Sequence, residues 1–247
     1  MNIFEQQMKE GGIYKKLKKR KVRLEFAKEG IYEMLKISPK SYISLSFGKQ
    51  STCLAHMIYK INPDIPCYFL ASAESWSMHN FKEVIEAFLK ICPIKLMIVQ
   101  TDHFFRNDLK TWKENRDVGQ FDLQKMCNRN DWSGWFWGLV KEESKERKIT
   151  LCKQWEGQPH PTIFRYVDNK YRCCPLMNWD ILDIAAYIEE NNLPLLNIYK
   201  KLGLQMRTTA RATKTAVLQG TMIYLKMIDI EGFNKMCKKF GELGNLT

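Results

Sequence analysis

Short blocks of apolar residues recur along the chain with two different periods. Residues 42–47 alternate between apolar and polar positions, which is typical of a strand, and residues 49–60 place apolar side chains at helical spacing. A short apolar run at 67–71 predicts a second strand. A further helical spacing at 81–89 precedes a third strand, predicted at 94–99. This order is typical of a parallel sheet with crossover helices.

The predicted fold class is α/β: a doubly wound, mostly parallel sheet with helices on both faces and helical additions at both ends. We expect a basic helical segment at 1–40, an α/β domain at 41–205 and a basic helical tail at 206–247. The carboxyl ends of such strands lie along one edge of the sheet, where a ligand is expected.

The N-terminal helical spacing ends near Ser38, because the residue before Pro39 is disfavoured in a helix. A strand is predicted at 135–139, and core packing is the preferred interpretation of the aromatic group around it, over stacking on a base. That group consists of Trp132, Trp135 and Trp137.

A helix is predicted after Pro175, with Asn178 as its N-cap and with Leu193 and Pro194 ending it. Residues 101–135 show no clean period. A long irregular stretch in a compact domain is usually functional or mobile.

The formal net charge of the 247 residues is +12, which fits a nucleic acid, an acidic small substrate or a soluble surface. The densest basic cluster, at 15–23, is interpreted as a solvated helical face, with contact to a phosphate backbone as the alternative. No apolar run approaches the roughly 20 residues of a membrane span, and the N-terminus lacks the apolar centre of a signal peptide. We therefore expect a cytoplasmic protein.

Eight cysteines are scattered through the sequence and are expected to be thiols rather than a disulfide framework. A zinc site can be drawn from Cys152, His160, Cys173 and Cys174, but their spacing follows no standard arrangement and no metal site is predicted.

The turn after the first strand, at 46–51, leads from a strand into a helix. Free backbone N–H groups and the positive end of a helix dipole make such a turn a site for anions. Farther on, Gly138 allows a close backbone approach, and Lys141 with Arg147 supplies cations suited to phosphate or sulfate oxygens. Glu143 and Arg147 are four residues apart and can pair on a helix. By itself this second segment fits a charged surface helix equally well.

Three motifs in this order resemble the phosphoadenylyl-sulfate (PAPS) reductase family, within the adenine nucleotide α-hydrolase and PP-loop ATP pyrophosphatase superfamily. The turn Ser46-Phe-Gly-Lys-Gln50 is similar to the family's Ser-Phe-Gly-x-Gln. Residues 138–147 match its Gly-x-Arg-Arg-x-Glu-Ser-x-x-Arg at Gly138, Lys141, Glu143, Ser144 and Arg147. The third motif follows the family at Pro175, Trp179, Asp183, Tyr187, Asn192, Leu193, Pro194, Tyr199 and Gly203.

The resemblance implies a nucleotide held over the first turn, with adenosine along the strand ends. The nucleotide-binding residues so indicated are Ser46, Phe47, Gly48, Lys49, Gln50, Ser51, Ser72, Gly138, Lys141, Ser144, Arg147 and Arg207. Ser72 is the least supported of them, because Ala71-Ser-Ala-Glu74 replaces the family's Asp-Thr-Gly. Arg207 opens a basic, hydroxyl-rich segment suited to a lid over an anion, and a solvated helix start explains it equally well.

Three departures from the family limit the chemistry. The family's reductases use a cysteine in Glu-Cys-Gly-x-His, which these 247 residues lack, so Cys237 is the candidate nucleophile, although a packed helix is its preferred interpretation. Cys173 and Cys174 lack the later Cys-x-x-Cys of the iron–sulfur branch, so no cluster is predicted. Gln50 stands where ATP-cleaving relatives have an aspartate for Mg²⁺, so Mg²⁺ is expected only if ATP is used.

The leading hypothesis is a PAPS reductase-like enzyme that binds a sulfonucleotide and works with a thiol reductant protein. The second is an ATP-dependent enzyme that adenylates or thiolates a nucleic acid. In this hypothesis the basic N-terminal segment binds the nucleic acid. The third is a non-enzymatic adaptor that binds a nucleotide or a nucleic acid.

Overall fold

A six-stranded sheet is the centre of the computed structural model, which describes residues 1–72, 80–101, 130–166, 169–206, 226–227 and 230–239. The strands are β1 (Ser41–Leu45), β2 (Cys67–Ser72), β3 (Leu96–Thr101), β4 (Gly134–Trp137), β5 (Ile163–Arg165) and β6 (Tyr171–Cys173). Their order across the sheet is β3-β2-β1-β4-β6-β5, and every pair is parallel except β5 with β6. The predicted doubly wound, mostly parallel α/β fold is confirmed.

The helices of the described residues connect and cover these strands. They are α1 (Ile3–Tyr14), α2 (Lys18–Ile37), α3 (Lys49–Ile61), α4 (Phe81–Ile91), α5 (Lys145–Leu151), α6 (Ile181–Asn191), α7 (Asn197–Leu202) and α8 (Ile230–Lys239). In these residues, no helix is both long enough and apolar enough to cross a membrane.

Two predicted strands have different bounds in the structure. The strand expected at 94–99 is β3, which begins and ends two residues later. The strand expected at 135–139 ends at Trp137, because the Leu139 N–H donates to the Trp137 carbonyl at 2.9 Å and turns the chain out of the sheet.

One face of the sheet forms the main core. Alternate strand residues such as Ile43, Leu45 and Phe136 point to this face, where they pack with apolar side chains of α2, α3, α4 and α6. The opposite face carries Tyr42, Tyr68 and Trp132, all buried, with Trp135 against them. Core packing is thus confirmed for Trp132 and Trp135, whereas Trp137 is 39% exposed.

The helix after Pro175 begins later than predicted. Asp180, not Asn178, is the N-cap of α6: its carboxylate accepts from the N–H groups of Leu182 and Asp183. The helix ends at Asn191, and its C-cap Asn192 has a left-handed φ of 48°, just before the predicted Leu193-Pro194 stop.

The N-terminal helical region consists of two helices rather than one. A turn separates them, in which Leu17 N–H donates to the Tyr14 carbonyl at 3.0 Å. Helix α1 lies very close to α6, because an added Cβ on Gly11 would lie 2.7 Å from the Cβ of Ala185. Only a residue without a side chain fits this crossing.

The basic cluster at 15–23 is only partly a solvated face. Lys15 pairs with Glu189 at 2.7 Å, and the buried Arg20 pairs with Glu190 at 2.5 Å. Arg23 pairs with two carboxylates of the α6 N-terminus. The interpretation of this cluster as a solvated face was wrong for these three side chains, because α6 presents its acidic residues to α2 and to the turn before it.

Asp180 and Asp183 both accept from Arg23 at 2.5 Å. Burial raises the pKa of Asp183, and the charge of Asp180 adds to this rise. Burial has the same effect on Asp180, but hydrogen bonds from Arg23 and from the Asp183 N–H outweigh it and hold that pKa below its usual range. The positive charge of Arg23 therefore offsets the repulsion between these two adjacent carboxylates at neutral pH.

Candidate functional site

The sheet order reverses direction between β1 and β4, which lie side by side with Ser44 opposite Trp137. From β1 the chain runs through β2 to β3 on one side, and β4 is followed by β6 and β5 on the other. Connections that leave neighbouring strands in opposite directions open a crevice at the carboxyl ends. The first motif follows β1 and the second follows β4, so both lie at this crevice.

The turn between β1 and α3 bends sharply. Phe47 has a left-handed φ of 52°, which is uncommon for a bulky residue. Its side chain is fully buried and packs edge-to-face against Phe69 and Phe88, with ring centroids 5.1 and 5.9 Å apart. This packing fixes the turn, and it leaves only the backbone of Phe47 available to a ligand.

The turn and the start of α3 provide unbonded donors. Gly48 is the N-cap of α3 and brings no side-chain cap, and the first intrahelical bond runs from Thr52 N–H to the Gly48 carbonyl at 2.9 Å. Within the described residues, the N–H groups of Gln50 and Ser51 have no acceptor. Free donors at the start of a 13-residue helix favour an anion.

Two hydroxyl groups hold the turn closed. Ser51 Oγ lies 3.0 Å from Ser46 Oγ, accepts from the Ser46 N–H at 3.2 Å and donates to the Gly48 carbonyl at 3.0 Å. Ser46 is exposed, whereas Ser51 is buried. Ser46 can therefore face a ligand, and Ser51 shapes the turn beneath it.

Lys49 ties the turn to the third motif. Its side chain is 3% exposed, and its ammonium lies 5.2 Å from the centre of the Tyr199 ring and donates to the Met206 carbonyl at 2.9 Å. The Lys49 N–H donates to the Tyr199 hydroxyl at 3.3 Å. Met206 is therefore held beside the turn, and Arg207 follows it in the sequence.

Gly138 lies against the start of α3. A Cβ built on it would be 2.8 Å from the Ser51 nitrogen and 3.1 Å from the carbonyl carbon of Gln50. Because the neighbouring atoms are backbone, no side-chain movement could make room. Only glycine fits at position 138, because the backbone of the first motif lies so close to it. This is the close backbone approach that the sequence predicted at Gly138.

Glu143 connects the two motifs electrostatically. The Gln50 side-chain amide donates to Glu143 Oε1 at 3.1 Å, and Glu143 Oε2 forms an ion pair with Arg147. The predicted pairing of Glu143 with Arg147 is confirmed, although Glu143 lies in a 3₁₀ turn (Lys141–Glu143) before α5. Ser144 caps α5 by accepting from the Arg147 N–H at 3.2 Å.

Lys141 joins the second and third motifs. Its ammonium donates to Asn178 Oδ1 at 2.9 Å, and its N–H donates to the Met177 carbonyl at 3.0 Å. Asn178 therefore fixes a cation instead of capping a helix.

The structure brings together most of the residues predicted from the sequence. The turn at 46–51, Gly138, Lys141, Ser144 and Arg147 lie around one crevice. Ser72 is the last residue of β2, two strand ends away from β4 in the same sheet. Arg207 lies outside the described residues.

Sequence reasoning did not identify Glu143 as the link to Gln50. Its place in the Glu-Ser motif is the signal that could have suggested a role.

The described cysteines are free thiols, as predicted. Burial raises the pKa of Cys92 and Cys174 to about 12 and also raises the pKa of Cys53, Cys67 and Cys173. Solvent reaches two thiols in the described residues, the exposed Cys152 and the half-buried Cys237.

Cys237 lies in α8, and no hydrogen bond between described residues joins it to the turn at 46–51. Within the part of the chain that is described, no group of three His, Cys, Asp or Glu side chains is arranged to hold a metal ion.

This fold and crevice define a doubly wound α/β protein with a turn of free backbone N–H groups at its switch point. The sequence pattern of the phosphoadenosine phosphosulfate reductase domain matches residues 40–204, and the chain belongs to this family.

Individual relatives are distant. The chain is 22% identical over 162 residues to a phosphoadenosine 5'-phosphosulfate reductase of Xanthomonas axonopodis pv. citri, covering 62% of the chain and 63% of that protein. It is 27% identical over 193 residues to one of Buchnera aphidicola, covering 70% and 71%. The chain thus spans less than two thirds of the Xanthomonas protein's length.

A phosphoadenylyl-sulfate (PAPS) reductase structure from Candida auris, a phosphate complex, covers 67% of the chain and 78% of that protein. The two are 19% identical, with a TM-score of 0.47.

Proposed function

We propose that the chain is a PAPS reductase-like enzyme that binds an adenine sulfonucleotide at the turn formed by residues 46–51. The observation that carries the proposal is the convergence of two separate motifs on one crevice. Gly138 packs on the backbone of Ser51, and Glu143 joins Gln50 to Arg147. If residues 138–147 formed only a charged surface helix, the alternative interpretation from the sequence, neither contact would be required.

The donors at the crevice suit the phosphosulfate part of such a nucleotide. The free N–H groups of Gln50 and Ser51 supply neutral hydrogen bonds at the positive end of α3. Arg147 and Lys141 are held by Glu143 and Asn178 on the side that follows β4. Pre-oriented cations lose less entropy on binding than free ones.

Gln50 favours a nucleotide bound without a metal ion held by the turn. Its amide nitrogen donates to Glu143, whose carboxylate is also paired with Arg147. A carboxylate used in this way is a poor candidate for a Mg²⁺ ligand, and the amide oxygen of Gln50 carries no charge. The proposal therefore favours a sulfonucleotide over ATP.

Calorimetry with four nucleotides on one preparation tests the binding site. We expect PAPS, adenosine 5'-phosphosulfate and adenosine 3',5'-bisphosphate to bind with dissociation constants below about 1 mM, equivalent to about −4 kcal/mol. ATP with Mg²⁺ should bind more weakly, and adding Mg²⁺ should not strengthen the binding of PAPS. Failure of all four to bind would remove the proposed site, and tighter binding of ATP with Mg²⁺ would favour an ATP-dependent enzyme.

The reductase step needs a thiolate. It attacks the sulfur of the phosphosulfate, the bond from sulfur to the phosphate oxygen breaks, and adenosine 3',5'-bisphosphate leaves. A second thiol, supplied by a reductant protein, then forms a disulfide with the first and releases sulfite. The buried thiols are poorly suited to the first attack, because burial raises their pKa.

Cys237 or a thiol of the reductant protein is the proposed nucleophile. The variant Cys237→Ser is expected to lose sulfite release from PAPS if Cys237 attacks and to retain it if the partner's thiol does. Cys152→Ser is the matched control, because Cys152 is also reached by solvent and lies in the turn after α5. Loss of activity in the Cys152 variant, with Cys237→Ser unaffected, would contradict both assignments.

A further inference from the structure

Strand β3 forms one end of the sheet. It pairs with β2 along its length, and no other strand of the described residues lies beside it. The Cys67 N–H donates to the Lys95 carbonyl at 2.8 Å, so Lys95 and every second residue after it direct their backbone groups toward β2. The N–H and carbonyl groups of Leu96, Ile98 and Gln100 therefore point away from β2. These groups are the outer edge of β3, and no hydrogen bond between described residues uses them.

The strand that carries this outer edge is apolar and uncharged. Its sequence, Leu-Met-Ile-Val-Gln-Thr, contains no proline and no charged residue. Met97 and Ile98 point to opposite faces of the sheet, and their side chains are 37% and 44% exposed. Lys95 precedes the strand, and Asp64 offsets its charge at 2.8 Å. Solvent thus reaches an apolar strand with free backbone groups, which natural proteins usually protect.

The opposite end of the sheet is protected in this way. Strand β5 has only three residues and ends in the exposed Arg165, which donates to Asn169 at 2.6 Å. Pro161 lies two residues before the strand. Short length, a charged side chain and a nearby proline keep an edge strand from pairing with another chain. One sheet therefore has a protected end at β5 and an open end at β3.

The outer edge of β3 is complementary to itself. If two copies of the strand run antiparallel with Ile98 opposite Ile98 of the second copy, Leu96 lies opposite Gln100 of the second copy. Every outward N–H then faces an outward carbonyl, which gives about six hydrogen bonds between the strands. The two Ile98 side chains are neighbours on one face of the joined sheet. Lys95 lies opposite Thr101 of the second copy, so no like charges meet.

We propose that the chain forms a two-fold symmetric dimer in which the outer edge of β3 pairs antiparallel with the same edge of a second copy. The two sheets then become one continuous sheet. Both open ends are used in this pairing, and the ends of the joined sheet are the two protected β5 strands. The assembly therefore closes at two copies. This inference does not depend on the proposed function.

Sedimentation velocity over a range of protein concentrations tests the dimer on the full chain. We expect the unchanged chain to sediment as a dimer that dissociates on dilution. Ile98→Lys places two like charges opposite each other and should raise the dissociation constant of the dimer by about 100-fold or more. Ile98→Pro removes an N–H that points away from β2, which an edge strand tolerates, and should also give monomers. Circular dichroism shows whether each variant is folded.

Ile13→Lys is the matched control. Ile13 is 65% exposed on α1, which packs on α6, so the variant adds the same charge away from β3. Its dissociation constant should equal that of the unchanged chain.

Cross-linking tests the register of the two strands. Ile98→Cys should form a disulfide between two copies when treated with oxidised glutathione, because directly opposed residues in such a pair have Cα atoms about 5.5 Å apart, within the range of a disulfide. Ile13→Cys is the control for the exposed thiols of the chain and should not yield this product.

Three results would overturn the proposal. They are a chain that stays monomeric at every concentration, a dimer that neither Ile98→Lys nor Ile98→Pro weakens, and assemblies larger than two copies. The second result would place the interface on another surface, and the third would contradict closure of the sheet. None of these measurements involves a nucleotide, so failure of the dimer leaves the proposed function intact.

Discussion

Replacing Gly138 with alanine is expected to weaken nucleotide binding by about 10- to 100-fold, because binding depends on groups held in position to within about 1 Å. The new Cβ would lie 2.8 Å from the Ser51 nitrogen and 2.9 Å from the Ser51 Cα. These backbone atoms belong to the first turn of α3, so the helix start must move away from β4. We also expect the free energy of unfolding to fall by about 1–3 kcal/mol, as for other overpacked sites.

The measurement combines calorimetry with adenosine 3',5'-bisphosphate and unfolding in urea. Gly12→Ala is the matched control, since a Cβ there would meet only the Glu189 carboxylate at 3.8 Å, which is ordinary contact. Because alanine is the better helix former, this control should raise stability by up to about 1 kcal/mol and leave binding unchanged. Unaltered affinity in the Gly138 variant would show that the start of α3 does not hold the nucleotide.

Replacing Arg23 with methionine is expected to lower the free energy of unfolding by about 3–5 kcal/mol at neutral pH. The change leaves Asp183, which is 1% exposed, beside Asp180, and among the described residues only the exposed Lys19 then pairs with Asp180, at 3.9 Å. Methionine has a similar length, so the loss reports the uncompensated charge more than a cavity. Unfolding in urea, followed by circular dichroism, measures this difference.

The same variant should change how the free energy of unfolding depends on pH. Without Arg23 the pKa of Asp183 rises further, and the pKa of Asp180 loses the lowering effect of the hydrogen bond from Arg23. The folded variant therefore binds more protons than the folded unchanged chain and loses less stability as the pH falls. The difference in the free energy of unfolding between Arg23→Met and the unchanged chain should therefore be largest near pH 7 and become smaller toward about pH 4.

Lys28→Met is the control for this pair, because Lys28 lies on the same helix and pairs with the exposed Glu25 at 2.8 Å. Removing this exposed ion pair should lower the free energy of unfolding by less than about 1 kcal/mol. If the Lys28 and Arg23 variants lost the same free energy of unfolding, burial of the unpaired Asp183 carboxylate would contribute little to the effect of removing Arg23.

The sequence determined the alternation of strands and helices, because hydrophobic periodicity is set by neighbours along the chain. It placed β1, α3 and β2 close to their observed bounds and predicted an anion-binding turn after β1. The order of three motifs led to the family that the comparison with known proteins then showed. It could not distinguish Asn178 from Asp180 as the cap of α6, since both residues suit that position.

Only the tertiary structure decided which side chains meet. Gln50 reaches Glu143 across 93 positions, and Lys49 reaches Tyr199 across 150. The guanidinium of Arg172 stacks between residues of two other strands. Such contacts depend on strand order and on the face to which each residue points, which are properties of the assembled sheet. Local sequence thus determined the strand, turn and helix start at which we propose that an anion binds, and the reversal between β1 and β4 decided which side chains surround this turn.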